Sequence, residues 1–596
     1  MVRDWWRSLE RAPEPLTERQ WGSVIAATLF AAVSRFLALA RTPWDWDELL
    51  FMLSLDHFDV ARHRPHPPGF PLYVLSAKII RKLGFGDFHS LQALSFLGAI
   101  AIVPAMFFLC RELRMRFSTS LFAAMLLAFF PNVWFYGGGA FSDVPSMTLI
   151  IVAITLLFAG CCDERAYLAG TAMLAIAGGF RPQNLAVGFA PFVIASLFRK
   201  KRIVVSAIVM ITIVVGLSYG FAAWLTGWSE YRRALQVHQA YIMRIDSFLS
   251  LIRPPLWRVF DDFFVMPYHA PAINAIIGIL ALLGVIRLRP YVLVALAAFG
   301  PLCIFSWLML DRFSASRFSI GYAPLIALLA ADGLTTDTRR SQRLLWVLCA
   351  SVVILMIVWT WPALAAVRQS IAPPIAAVDW IRNHVDRRSA TIYIDTAMVP
   401  FGEFYLPDYQ LRFVRELPPP PVWTRRQPGF WVREQESRSP NAENFTRPHG
   451  RLYELARQRY FEVSVQPVVD VVRFGSGWYW EEGEGAQAWR WMGSHSEALL
   501  PSISGDARLT LSLYVPLDAL DALPNVTVRV NGMVVDRFRA GLKNAKREII
   551  VHARADRPNE LAIDTDRTVV PAAKHLAADA RLLGLRLNAI GWMPAR

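Results

Sequence analysis

The feature that most constrains this chain is a succession of long apolar runs separated by short basic clusters. About eleven stretches approach the ~20 residues that a helix needs to cross a ~30 Å hydrocarbon layer. They lie near residues 21–40, 91–111, 118–136, 141–160, 165–180, 182–198, 203–225, 271–287, 290–309, 317–333 and 343–366. With 55% hydrophobic residues and 21 tryptophans in 596, the chain is too apolar for a soluble protein of this length. A net charge of +15 would otherwise raise nucleic acid as a partner. Here the clusters "RELRMR", "FRKKR", "RLRP" and "DTRRSQR" fall between apolar runs, as the positive-inside rule requires, so no nucleic-acid partner is expected.

Placing the N-terminus in the cytoplasm puts all four clusters on the cytoplasmic side of a multi-pass protein of the cytoplasmic (inner) membrane. The outer face then receives residues 41–90, 137–141, the turn at Phe180–Arg181, residues 226–270 and 311–316, and everything beyond Val367. The start "MVRDWWRSLERAPEPLTERQ" lacks a short apolar core with a small-residue cleavage site, so Trp21 to Ala40 reads as a retained span. "PGFPLYVLSAKIIRKLG" is short and basic at its end, and is expected to lie along the outer interface as an amphipathic helix. The five cysteines sit in or beside the spans and suggest neither a disulfide framework nor a cysteine zinc site.

Beyond residue 366 the character changes. "PPIAAVDWIRNHVDRRSATIYIDT" is a short helix pattern followed by a strand, and Pro-rich "ELPPPPVWTRRQPG" is a linker or long loop. From Gly475 the pattern is β: Leu509, Leu511, Leu513 and Val515 alternate with polar residues, and Val526, Val528 and Val530 run into the Asn531-Gly532 turn signal. The expected fold is an α-helical polytopic membrane domain (1–366), an exterior α/β domain or linker region (367–474) and an exterior β-sandwich (475–596), jelly-roll-like and carbohydrate-binding-like. Trp478, Trp480, Trp489 and Trp491 are read as core residues of that sandwich, with sugar binding left open.

Chemistry gathers at the outer rim. The first span exits into "WDWDELLF", which places Asp47 and Glu48 where a span normally ends in snorkelling Lys or Arg or in an aromatic belt; an ordinary wet loop is the alternative reading. "YGGGAFSDVPSM" puts Asp143 at the outer start of the fourth span, where Ser142 or Asp143 suits an N-cap and Pro145 the first turn. Carboxylates facing one outer cavity near His66 fit acid–base work. Arg181, His238, Arg244, Arg312 and Arg317 reach the same face and suit a phosphate, although any one of them could simply meet anionic lipid. His57, His63 and His66 match no strong zinc spacing; a divalent metal stays a minor alternative, and no cofactor is assigned.

"DELLF" after the first span, an HPP-type motif, "SDVP" at the outer start of the fourth span and "RPQ" after the next helix together resemble the GT-C superfamily of membrane glycosyltransferases. Within it, protein O-mannosyltransferase and aminoarabinose transferase type enzymes (the glycosyltransferase family 39-like group) are most similar. The resemblance covers residues 21–366. It implies a polyprenyl-phosphate-linked sugar as donor and a glycan, lipid or protein as acceptor. It also implies Asp47 as the first-loop catalytic acid with Glu48 as its neighbour, and Asp143 as the second acidic position. His66 stands where relatives of the aminoarabinose type have a lysine that touches the lipid phosphate, and Arg244 matches a phosphate ligand loosely. Two other classes fit less well: a transporter or flippase, which would place charge near the midplane of broken helices, and a membrane-anchored glycan-binding protein in which the sandwich is the working part.

Overall fold

The computed structural model describes residues 2–265, 271–334, 339–387, 390–415, 429–435, 442–456, 462–468, 472–483 and 489–595; residues 416–428 of the Pro-rich stretch lie outside them. The chain divides into two compact units. One comprises residues 1–384, 397–407 and 433–464, the other residues 385–396, 408–432 and 465–596.

The first unit is helical. Among the described residues, six helices are long and apolar enough to cross a membrane, from Glu18–Leu37 and Asp87–Glu112 through Lys201–Thr226 and Pro290–Met309 to the two at the end of the series. Shorter apolar helices fall where spans are expected, at Phe117–Phe129, Asp143–Ala159, Gln183–Ser196 and Ile273–Ile286, and Glu164–Phe180 joins them. The stretch expected as one span at 118–136 is broken, with Pro131–Tyr136 forming a separate short helix. The residue before a proline is driven out of helical geometry, and Phe130 has ψ 129. On Glu18–Leu37 and Lys201–Thr226, Leu29, Phe30, Val33, Ile213, Leu217 and Phe221 stay exposed, the outward face that a lipid-bathed helix presents.

Caps set the helices at the start and at the exit of the first span. Thr17 and Gln20 close a reciprocal capping box on Glu18–Leu37. Asp45 and Glu48 close another on Trp46–Asp56. The interface segment is helical over Pro71–Arg81, 11 residues that are too few to span. It buries Tyr73, Val74 and Ala77 while Leu75 and Ile79 face outward.

The second unit carries a β-sandwich of ten strands: β1 (Arg473–Phe474), β2 (Trp478–Glu482), β3 (Trp489–Met492), β4 (His495–Leu500), β5 (Gly505–Tyr514), β6 (Asn525–Val530), β7 (Met533–Arg539), β8 (Asn544–Ala553), β9 (Asn559–Thr565) and β10 (Arg586–Pro594). They form two five-stranded sheets, β8-β5-β10-β3-β2 and β7-β6-β9-β4-β1. Leu509, Leu511, Leu513 and Leu587 of one sheet meet Val526, Val528, Leu561 and Ile563 of the other in a common core. Asn531 and Gly532 both take positive φ in the β6–β7 turn, the backbone that an Asn-Gly hairpin supplies at little strain. Residues Thr391–Asp395 pair in parallel with Gln410–Val414 on one side and with 429–432 on the other. The tryptophans correct the core reading. Trp478 packs against the core, but along β3 Arg490 and Met492 are buried while Trp489 and Trp491 lie on the opposite face. Trp480 is 80% exposed. Strand alternation sends i and i+2 to one side, so two adjacent tryptophans with one spacer cannot both be core once Met492 is.

Candidate active site

The exit of the first span places three carboxylates within four residues, and the fold gives them different jobs. Asp45 accepts from the Asp47 backbone N–H at 3.0 Å, and Glu48 Oε2 accepts from the N–H groups of Asp45 at 2.9 Å and Trp44 at 2.5 Å. Glu48 Oε1 accepts from the Ala140 N–H at 2.7 Å, so one buried side chain joins this loop to the triple-glycine turn. That turn needs its glycine, because a Cβ on Gly139 would stand 2.8 Å from Glu48 Oε1. Gln92 tightens the junction, donating to Ala40 O at 2.8 Å and Gly138 O at 2.7 Å. Burial pushes Glu48 up to about 8, against the pull of the backbone N–H groups of Ala140, Trp44 and Asp45. Glu48 therefore sits as a buried brace for the loop.

Asp47, one step along the helix, projects into a different group. Arg317 Nη1 bonds Asp47 Oδ2, and Arg317 Nε bonds Asp143 Oδ2 at 2.9 Å. Arg181 Nη1 bonds the other oxygen of Asp143 at 2.6 Å and its Nε reaches Ser142 Oγ at 3.1 Å. Asp47 Oδ1 faces His66 Nδ1 at 3.7 Å. The result is a chain of alternating charges, Asp47–Arg317–Asp143–Arg181, ending at one side on an imidazole. Ser142 is the N-cap of the helix Asp143–Ala159 but makes no capping bond, and Asp143 spends both oxygens on guanidinium groups.

Aromatic rings hold these groups in place. Arg317 lies 5.1 Å from the Phe141 centroid and Arg181 5.3 Å from that of Phe70. His66 packs 4.8 Å from Phe70 and 5.6 Å from Phe51. Asn132 Nδ2 donates to Ser316 O and Ser319 Oγ, both at 2.9 Å, and fixes the turn that carries Arg317. Asn184 does the same beside Arg181, donating to Ser146 Oγ at 2.7 Å and Ala177 O at 2.8 Å. Burial pushes the His66 imidazole down to about 4, against the pull of the Asp47 charge. A neutral ring can donate a hydrogen bond but supplies no cation near pH 7.

The remaining residues singled out in the sequence lie around this group rather than in it. His238, on the helix Trp228–Tyr241, is within electrostatic reach of His63 and Asp47, and burial pushes it down. The same helix anchors the loop that carries His66 through Tyr231 Oη, which donates to Pro68 O at 3.0 Å. Arg244 is exposed on the turn Ile242–Asp246. Arg312 pairs with Asp262 at 3.8 Å and packs on Phe313. Among the described residues, no three His, Cys, Asp or Glu side chains are grouped to hold a metal ion. The sequence reading missed Asn132, Asn184 and Gln92, and offered Ser142 as an N-cap but not as a partner of Arg181. Only Glu48 left a plain signal, since Asp45-x-x-Glu48 has capping-box spacing.

No family model and no curated protein matches the chain. Solved structures do. A crystal structure of ArnT from Cupriavidus metallidurans bound to undecaprenyl phosphate is similar over 74% of this chain and 98% of its own, at 12% identity and a TM-score of 0.49. The arabinofuranosyltransferase AftD from Mycobacteria matches 98% of this chain and 61% of its own, at 11% identity and a TM-score of 0.42. The Saccharomyces cerevisiae protein O-mannosyltransferase Pmt1-Pmt2 complex bound to its sugar donor matches 44% of this chain and 37% of its own, at 17% identity and a TM-score of 0.29. These are proteins of the kind that the sequence motifs resemble. With these TM-scores under 0.5, the functional reading rests on the residues themselves.

Proposed function

We propose that the chain is a GT-C type membrane glycosyltransferase that moves a sugar from a polyprenyl-phosphate donor to an acceptor at the outer face of the cytoplasmic membrane. The observation that carries this reading is the buried chain Asp47–Arg317–Asp143–Arg181, with side chains between 2 and 18% exposed, on the elements that bear the motifs. Such a group combines a carboxylate with cations already fixed in position.

In this mechanism an acceptor hydroxyl or amine gives its proton to Asp47, and its oxygen or nitrogen bonds the anomeric carbon. The bond from that carbon to the phosphate oxygen breaks, and the electron pair leaves with a polyprenyl phosphate monoester. One displacement inverts the anomeric configuration. The leaving group gains a negative charge, and Arg181 and Arg317 supply fixed donors where that charge develops. Asp143 holds both guanidinium groups, which lowers the reorganisation needed at the moment of transfer. His66 serves as a neutral hydrogen-bond donor to the phosphate. His238 and Arg244 line the approach from the fourth outer loop, and Arg312 stands further out.

The deciding experiment is transfer of radiolabelled sugar from a polyprenyl-phosphate donor in membranes containing the protein, with Asp47→Asn as the paired variant. No transfer from a panel of such donors, with the protein abundant and folded, would sink the reading. Orientation is tested separately with an impermeant maleimide on spheroplasts. An exposed Asp556→Cys should label in intact spheroplasts, and the exposed Cys162 only after permeabilisation. The reverse pattern inverts the topology.

A further inference from the structure

The outer face of the sheet β8-β5-β10-β3-β2 carries an aromatic–cationic strip that the transfer reaction does not use. Tyr514 pairs with Arg586 across β5 and β10, and Arg586 pairs with Trp491 across β10 and β3. The three side chains therefore stand side by side on one face, opposite the core residues Leu513, Leu587 and Met492. Trp489, two residues from Trp491, adds to the same face. The Arg586 guanidinium lies 4.4 Å from the Tyr514 ring centroid, 5.0 Å from Trp489 and 5.8 Å from Trp491. Its Nε donates to Asn588 Oδ1 at 3.1 Å, which fixes the plane of the fork. Among the described residues no carboxylate pairs with Arg586. The nearest acid across the β2–β3 pairing, Glu482 opposite Trp489, is taken by Arg581 at 2.7 Å. Lys546 is exposed on the same face, opposite Ser512 on the neighbouring strand.

We infer that this strip binds an acidic saccharide. Indole and phenol rings offer flat apolar surfaces that suit the C–H face of a sugar ring. A planar guanidinium held among them presents paired N–H donors that match a uronate carboxylate or a sugar phosphate. A purely structural cation–π cluster would have no need of an unpaired charge, an Asn-fixed fork and a further exposed lysine on one face. This inference is independent of the transfer reading and is tested without a sugar donor.

Full-length protein in a neutral detergent is run through native gels containing polygalacturonate, dextran or single-stranded DNA. Polygalacturonate should retard the wild-type protein and dextran should not. Binding should weaken about tenfold in Trp491→Ala and in Arg586→Gln, the loss of roughly one stacked or charge-paired contact. Arg557→Gln, which removes an exposed charge from a turn elsewhere on the sandwich, should bind as the wild type does. Trp491→Phe and Arg586→Lys keep ring and charge respectively and guard against loss of fold. Trp491→Phe should retain most binding, and Arg586→Lys should lose part of it because the fork is gone. The inference is overturned by any of three results. These are no retardation by polygalacturonate, equal retardation by DNA, or Arg557→Gln weakening binding as much as Arg586→Gln.

Discussion

Asp47, Asp143, Arg181 and Arg317 form a chain of alternating charges whose side chains are 2–18% exposed. His495, Glu497, Arg529 and Asp564 form a network of similar make-up on the sandwich, with side chains 32–50% exposed. The residue types are nearly the same, and what separates the two is water. On the sandwich, each charge stays in contact with water and each pair adds little. In the helical unit, a partner cannot be removed without stranding a charge that water cannot reach. Such an arrangement is weak evidence for stability as such, because desolvation opposes the attraction. It is better evidence for a site, since buried paired charges hold donors in fixed directions.

The sharpest way to break this comparison is Arg317→Leu. It takes the Arg317 bond from Asp47 and leaves Asp143 with Arg181 as the remaining one of its two guanidinium partners, and removing one partner of a buried pair costs on the order of 3–5 kcal/mol. Membrane abundance and melting temperature in detergent should both fall, and transfer should be lost. Arg317→Lys keeps the charge but cannot span both carboxylates with one planar fork, and should fall between. An unchanged melting temperature in Arg317→Leu would mean that the group is as wet as the sandwich network.

Asp47→Asn probes chemistry rather than burial. The amide keeps the shape and removes the proton acceptor, so transfer should drop on the order of 10²–10⁴-fold at normal abundance. Asp143→Asn should show the opposite balance, with a larger loss of stability and a smaller loss of transfer. Asp143 holds two guanidinium groups and, in this reading, takes no proton. Full activity in Asp47→Asn would remove the base assignment and leave the ion-pair chain as scaffold.

Glu48→Gln is expected to be milder in transfer than Asp47→Asn and visible in stability. Three backbone N–H groups converge on the two oxygens of its carboxyl group. An amide offers one acceptor oxygen, so at least one buried N–H faces an NH₂ and loses its partner, at about 1–3 kcal/mol. A variant as stable as the wild type would mean that the Trp44–Ala140 junction is held by Gln92 alone.

Much of this was legible in the sequence because hydrophobicity and charge act over long windows. The apolar runs placed the long and the shorter apolar helices, and alternation placed the sandwich strands with their Asn531-Gly532 turn. Asp47, Asp143, Arg181 and Arg317 stood out as charges at one rim. Their mutual bonding was not legible, since Asp47 and Arg317 lie 270 residues apart and no local pattern pairs them. Glu48 was misjudged for the opposite reason. Its environment is local, but the pull of an acidic pair at a membrane exit hid the Asp45-x-x-Glu48 cap. The tryptophans of β3 were misassigned because indole is apolar enough for a core and polar enough for a surface. Only the register with Met492 and Leu587 decides between them.

The smallest effect lies on the exposed side of the comparison. His495 Nδ1 meets Asp564 Oδ1 at 2.6 Å and Nε2 meets Glu497 Oε1 at 3.2 Å. The hydrogen bond to Asp564, then that to Glu497, raises the imidazole above its usual value, and the bond from His495 lowers Glu497. A raised histidine contributes stability that is complete below its unfolded pKa, about 6.5, and is lost as pH rises through the folded value. A lowered carboxylate contributes above about 4.3 and loses its part as pH falls. The network should therefore help most between about pH 4.5 and 6.5. Because both partners are half exposed, the gain should stay below about 1 kcal/mol. His495→Gln should lower the melting temperature of the sandwich slightly at pH 5.5 and by a vanishing amount near pH 8, and 1 M salt should erase most of the difference. A deficit that is the same at both pH values would show that His495 acts by packing rather than charge. The sandwich network would then be less unlike the buried one than its exposure implies.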